Sequence, residues 1–320
     1  MGRYMIRRTL QFVPVLFGAT FLIFAAVFSL SGDPIRALSG DRPIPASVVD
    51  QIRDEYDLDD PLPIQYGKYM GFLVDDDDEP PTRSGLLTGD FGVDLRGRPV
   101  TDTLKQKLPV SARLAVVAFV IESIIGIVAG VIAALRKDKF IDTLVKVSTV
   151  AVISISIFVS GLYAQYFFGV QLDWLPVSGI RDGWINYVMP AFVLASVSLA
   201  YVSRLTRTSV VENLRTDYVR TAKAKGMAQR RVIGIHTLRN SMIPVLTYLG
   251  IDLGGLMAGA IITETVFNLP GIGREVFEAV IRQDGAVVVG IVTFLILVYM
   301  TANLLVDFLY AVLDPRIRYE

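Results

Sequence analysis

Apolar runs of membrane-spanning length alternate with short charged stretches along this chain. Residues 9–32, 147–172, 184–203 and 285–306 carry no charged side chain. Residues 114–135 hold only Glu122, and residues 240–266 only Asp252 and Glu264. A helix needs about 20 mostly apolar residues to cross the hydrocarbon core, and backbone in lipid must satisfy its hydrogen bonds internally. The pattern predicts an all-α integral membrane protein with about six transmembrane helices. The first run follows Arg3, Arg7 and Arg8, as a signal peptide would. It is longer than a usual signal core, however, and Ser31-Gly32-Asp33 follows in place of a small-residue cleavage site. It reads as a retained first helix.

Lys and Arg in short loops set orientation. They gather before span one and after span two (Arg136, Lys137, Lys139). They gather again after span four (Arg204, Arg207, Arg215, Arg220, Lys223, Lys225, Arg230, Arg231, Arg239) and at the tail (Arg316, Arg318). The loop after span three has only Arg181, and the loop after span five has Arg274 and Arg282. Both termini are therefore expected in the cytoplasm. The expected segments are 1–32 (N-terminus and first helix), 33–110 (external) and 111–320 (core), with a cytoplasmic loop at 206–241.

Composition adds exclusions. The chain is 52% hydrophobic and only 19% charged, with mean hydropathy +0.51. Soluble domains carry about 25% charged residues. The 31 basic and 31 acidic residues cancel, so no global field suggests nucleic acid. No cysteine and one histidine exclude disulfides, thiolate metal sites and histidine-rich metal sites.

The external segment is acidic, with Asp50, Asp54, Glu55, Asp57, Asp59 and Asp60, then a run from Asp75 to Glu79 ahead of Pro80-Pro81. A solvated loop is one reading of the run. A Ca²⁺ site is the sharper one, although consecutive acids lack the alternation and glycine of an EF-hand. Val100, Leu104 and Leu108 recur every fourth residue and suggest a short amphipathic helix on the outer surface. Pro270 to Ile281 has the same spacing at Ile272, Val276 and Val280, suiting an outer gate, a contact for a binding protein, or a surface lid. The 206–241 loop is patterned. Arg215 to Lys225 is rich in helix formers and stops at Gly226, a helix-terminating position. A second helix follows from about Gln229, with Val232, Ile235, His236 and Arg239 expected on one face. Two helices hinged at a glycine form a knob for a partner; basic residues held at anionic headgroups are the alternative.

Several motifs carry a family resemblance. Arg220-Thr221-Ala222-Lys223-Ala224-Lys225-Gly226, followed by His236-Thr237-Leu238-Arg239-Asn240-Ser241-Met242-Ile243-Pro244, resembles the "EAA" loop of ABC importer permeases of the dipeptide, oligopeptide and nickel family. Further matches are Tyr56 to Pro63, Gly89-Asp90-Phe91-Gly92, Gly97-Arg98-Pro99-Val100, Trp174-Leu175-Pro176, Thr263 to Phe267 with Pro270-Gly271-Ile272-Gly273, and Leu313-Asp314-Pro315-Arg316. The coverage is nearly the whole chain, and the large external segment is similar to that of the first of the two permease subunits. Arg220 stands where many permeases have glutamate, and residues 75–84 resemble an insertion.

The resemblance implies a type I importer permease in a bacterial or archaeal cytoplasmic membrane, transporting di- or oligopeptides. It also implies a second permease subunit, two ATPase domains that bind ATP and Mg²⁺, and an extracytoplasmic binding protein. The loop Arg220–Gly226, with His236, Arg239 and Asn240, is then the coupling element, and Ala222 and Ala224 allow close approach. No cofactor is expected in this chain, and no enzyme activity: it has no G-x-x-x-x-G-K-[ST] loop, H-E-x-x-H or G-x-S-x-G. Within the spans, Asp252, Gly255 and Glu264 are candidate path residues, since intramembrane acids face interiors or interfaces. Helix-to-helix hydrogen bonding, or a position near the water interface, is the alternative for both acids. Import of nickel, glutathione or another small solute is a competing substrate reading. An ion-coupled secondary transporter would show repeats and paired intramembrane charges, and an intramembrane enzyme would need paired catalytic groups.

Overall fold

The computed structural model describes residues 2–30, 60–73 and 85–313. The acids Asp50 to Asp59, the run 75–79 and the tail 314–320 lie outside the described residues. The helices are α1 (Gly2–Leu30), α2 (Leu62–Met70), α3 (Val100–Leu135), α4 (Phe140–Ser154), α5 (Ile157–Ala164), α6 (Ile185–Asn213), α7 (Asp217–Ala224), α8 (Leu238–Val266), α9 (Ile272–Ile281) and α10 (Gly285–Leu313). Among the described residues the only β pairing is an isolated antiparallel bridge, Val93 to Pro99. Four helices are long and apolar enough to cross a membrane: α1, α3, α6 and α10. Two bent pairs bring the number to six, as the pattern predicts.

One bent pair is α4 and α5, which meet at 102°. Ile155 and Ser156 are extended there (ψ 130° and 138°). The local sequence Val152-Ile153-Ser154-Ile155-Ser156-Ile157 explains the break. β-Branched residues resist helical crowding, and the Ser154 hydroxyl donates back to the Val150 carbonyl at 2.8 Å, a contact that bends helices. α5 continues as a π-turn, Gln165–Gln171. The Gln165 amide anchors it by donating to the Val177 and Val266 carbonyls, both at 3.0 Å.

The chain forms two compact units, Met1–Val110 with Pro270–Thr301, and Ser111–Leu269 with Ala302–Glu320. The cut falls between Val110 and Ser111, and the distant stretch Pro270–Thr301 joins the N-terminal part. In the first unit, Val100 and Leu104 pack with Ile272, Val276 and Ala279 of α9 and with Val287, Val288, Ile291 and Leu295 of α10. The amphipathic stretch is therefore no separate surface helix. It is the first three turns of α3, whose 36 residues run about 54 Å. Pairing with α9 and α10 buries its apolar face. The Gly89-Asp90-Phe91-Gly92 motif turns tightly, with φ of 88° at Gly89 and 90° at Gly92. It seats Phe91 edge-on against Phe294 at 5.7 Å, and a Cβ at Gly290 would strike the Phe91 carbonyl. α2 lies on α1, where the Tyr66 hydroxyl donates to the Phe17 carbonyl at 3.1 Å and meets the Thr20 hydroxyl at 2.8 Å.

In the second unit, α3 and α6 touch through missing side chains. A Cβ at Gly130 would lie 2.5 Å from the Ser203 carbonyl and 2.6 Å from Thr206, and one at Gly126 would lie 2.8 Å from Val202. Small residues permit such approach, and packing is what holds membrane helices together. Gly250 accommodates Val306, and Gly161 accommodates Val266, in the same way. Two polar locks add to this. The Ser111 hydroxyl donates to Glu264 at 2.5 Å, both residues buried. Asp142, fully buried, accepts from Arg207 at 2.5 and 2.7 Å and from Lys146 at 2.8 Å.

Gly130→Val should lower the melting temperature in detergent, at a cost of about 1–3 kcal/mol or more from overpacking. Gly18→Ala, whose Cβ meets nothing within 4 Å, should leave it unchanged. Equal melting of all three proteins would remove the close α3–α6 approach as a stabilising contact.

Candidate functional site

The 206–241 region begins as helix rather than loop: α6 continues to Asn213, with Thr206, Ser209 and Val210 buried. The connector proper is a compact knob. α7 spans Asp217–Ala224, and Gly226 at φ 72° ends it. A short helical turn, Gln229–Arg231, then leads through a π-turn, Val232–Thr237, into α8. Val219, Ala222 and Val232 close on one another, with Met227 at their edge. This core fixes the direction of α7. The Tyr218 hydroxyl donates to Asn213 Oδ1 at 2.6 Å and accepts from Asn240 Nδ2 at 3.1 Å, joining the end of α6, α7 and the start of α8.

The structure redistributes the expected roles. Arg220, Thr221, Lys223, Ala224, Lys225 and Gly226 are exposed, while Ala222 is buried in the knob's own core. Ala224, not Ala222, is thus the small residue on the outer face. The face expected through Val232, Ile235, His236 and Arg239 does not form: Val232 and Thr237 are buried, and Ile235 and Arg239 are exposed. The π-turn is the physical reason. Its extra residue changes the inward spacing to five, and the Thr237 hydroxyl donates to the Val232 carbonyl at 3.2 Å. His236 is half-buried and Asn240 exposed. Tyr218 and Asn213 were not legible as partners of Asn240, because no local pattern links residues 22 positions apart.

Of the candidate path residues, Glu264 is fully buried on Ser111, which matches the helix-to-helix alternative. Asp252 lies midway along α8, half-buried, with Tyr248 Oη 3.4 Å from its Oδ1. Gly255 is open, with nothing within 4 Å of a Cβ there. Glu122 of α3, the acid of the 114–135 run, comes to the same place and interacts with Asp252.

α9 forms from the stretch expected to be helical, and its charges are paired. Glu275 binds Lys107 and also accepts from Arg282 Nη2 at 2.7 Å, while Arg274 Nε donates to Glu278 at 2.7 Å. Burial by itself would raise the Glu275 carboxyl, but the Lys107 ammonium and the Arg282 guanidinium hold it below the usual carboxylate range. Asp94 behaves similarly. Burial opposes ionisation there, yet the Arg98 and Arg96 amides and the Arg98 side chain keep its carboxyl low. Asp284, which accepts from the Leu95 and Val287 amides at 3.2 Å, is raised by burial. Among the described residues no group of three or more His, Cys, Asp or Glu could hold a metal.

Comparison with known proteins gives the family. Residues 126–319 match the family described as "Binding-protein-dependent transport system inner membrane component". Residues 1–115 match "Binding-prot-dependent transport system membrane comp, N-term". The chain is 36% identical over 321 residues to the glutathione transport system permease protein GsiC of Escherichia coli (strain K12), covering all of both chains. The protein of the same name from Shigella flexneri serotype 5b (strain 8401) is also 36% identical over the full length of both. A dipeptide transport system permease protein, DppB of Alkalihalophilus pseudofirmus, is 33% identical over 347 residues, again covering both chains entirely.

Because the folded-state pKa of Glu275 is depressed, its ion pairs add stability that is complete above the unfolded value, about 4.3. That stability is lost as pH falls through the folded pKa. Glu275→Gln should therefore melt lower than the wild type at neutral pH, and the gap should close in acid. A gap that stays constant from neutral pH into acid would show that the ion pairs do not contribute.

Proposed function

This chain belongs to the inner-membrane components of binding-protein-dependent transport systems, as an ABC importer permease of the peptide and nickel family, and from that membership we propose that it is the first permease subunit of an ATP-driven di- or oligopeptide importer. It forms half of a translocation path with a sibling permease. Two ATPase domains bind ATP and Mg²⁺ and drive the cycle, and an extracytoplasmic binding protein delivers the substrate. Both termini face the cytoplasm, and the membrane is that of a bacterium or archaeon. The chain itself is not an enzyme.

One observation carries the coupling role. The knob buries its apolar residues in its own core and turns its cations outward. Val219, Ala222 and Val232 point in, and Arg220, Lys223, Lys225, Arg230 and Arg231 point out. Such a surface suits a partner groove lined by carboxylates. Because α7 is tied to α6 and α8 by Tyr218, a push on the knob reaches both helices as a rigid-body motion. The positive φ of Gly226 lets the chain reverse without strain. Exposed Val116, Val120, Ile124 and Val128 on α3 suit lipid or the sibling permease. Glutathione is the second reading of the substrate. It is itself a tripeptide, and it is named in relatives at 36% identity.

Lys223→Glu with Lys225→Glu places like charge against the proposed partner. ATP-driven uptake of a labelled dipeptide or glutathione should fall about tenfold or more, with unchanged amounts of the chain in the membrane. Full uptake, with the ATPase subunits still co-purifying, would sink the coupling assignment. Uptake of one substrate but not the other would decide the cargo.

A further inference from the structure

Glu122 and Asp252 present an unresolved chemical problem inside the second unit. Glu122 is 0% exposed, and neither of its carboxyl oxygens has a hydrogen-bond partner. Asp252 Oδ2 is likewise buried and unpartnered. α3 and α8 pack together at this level through Phe119, Ile127, Leu249 and Tyr248, and the two carboxyl groups lie close enough to act on each other. Acceptor faces acceptor with no donor between them. Two adjacent anions in an apolar interior are strongly unfavourable, both by desolvation and by mutual repulsion.

Among the described residues no cation pairs with either carboxyl. From α8, Tyr248 reaches Asp252 Oδ1 at 3.4 Å and lies beside Ser198 of α6. From α6, Tyr201 stacks on Tyr248 with ring centroids 6.3 Å apart. The nearest guanidinium in this stack, Arg204, lies 4.9 Å above the far ring, Tyr201, two aromatic rings from the carboxyls. Below Glu122, Gly126 brings the α6 backbone close, with the Leu199 carbonyl 3.2 Å from a Cβ placed there, and so adds another acceptor and no donor. Asp252 is half-buried, which leaves one side open for entry.

We propose that Glu122 and Asp252, with the Tyr248 and Ser198 hydroxyls, form a binding site for one small monovalent cation, a proton or a sodium ion, in the middle of the membrane-spanning bundle. The donors are all hard oxygens, the class that such cations take. One positive charge removes the acceptor-to-acceptor conflict. The remaining negative charge rests on the Asp252 side, where the Tyr248 hydroxyl and the exposed edge stabilise it. Occupancy ties α3 to α8, so the importer's activity and stability depend on pH or on sodium. This goes beyond the permease role and does not rest on the identity of the cargo.

The test uses the assembled importer in nanodiscs, as wild type and as Glu122→Gln/Asp252→Asn. The amide pair supplies its own donors, so the variant should fold. The first readout is the infrared carbonyl band of a protonated carboxylic acid, and the second is melting in sodium chloride against choline chloride at equal ionic strength. A proton at the site gives a carboxylic acid band in wild type at neutral pH. The variant loses that band, and neither protein shows a sodium effect. Sodium at the site gives a melting temperature that rises in sodium for wild type only, with the acid band growing in choline. If wild type and variant give identical bands and neither responds to sodium, the site does not exist. Stabilisation of wild type by Mg²⁺ in place of Na⁺ also overturns the proposal. Wild type compared in the two salts decides the question even if the variant assembles poorly.

Discussion

Gly126 and Gly130 let the backbone of α6 lie directly against α3, and much of the second unit depends on that approach. It bears on the C-terminal half of α6, which carries Arg207 to the buried Asp142 and then runs on to Asn213 and the knob. Lipid offers no hydrophobic drive for helix association, so the energy must come from dispersion at short range and from internal hydrogen bonds. Side chains as small as a hydrogen atom make the first possible. Ser111–Glu264 and Asp142–Arg207 supply the second, one beneath the first turns of α3 and one at the start of α4.

The knob shows how a short segment holds a defined shape outside the membrane. α7 is eight residues long, far below what an isolated helix needs in water. Three apolar contacts and the Tyr218 hydroxyl bridge make up the difference. With those residues turned inward, five cations and one acid, Asp217, are left on the outward face, so its chemistry is set by what the core excludes. The same economy holds on the other side of the chain. There α9 meets the first turns of α3 through apolar contacts flanked by Lys107, Glu275 and Arg282.

The spans were legible because length and apolar composition are direct readouts of bilayer thickness. The end of α7 was legible from the glycine at 226, whose φ is 72°. The break at Ile155 was not, because a bent pair and a straight helix present the same run of apolar residues. Val100, Leu104 and Leu108 announced an amphipathic face but not its partners in α9 and α10, about 170 residues further along the chain. Glu122 and Asp252 were each visible as a lone acid in an apolar run. Their meeting was not, since it depends on how α3 and α8 pack.

The π-turn at Val232–Thr237 has an evolutionary reading. A π-turn is an α-helix that has accepted one extra residue. Losing one residue there would restore regular α-helix and rotate everything before it by about 100° relative to α8. The cationic face of the knob would then point elsewhere while its own fold stayed intact. A single codon gained or lost at this place would therefore re-aim the whole cationic surface at once, a route by which proteins of common ancestry part company over the partners they accept.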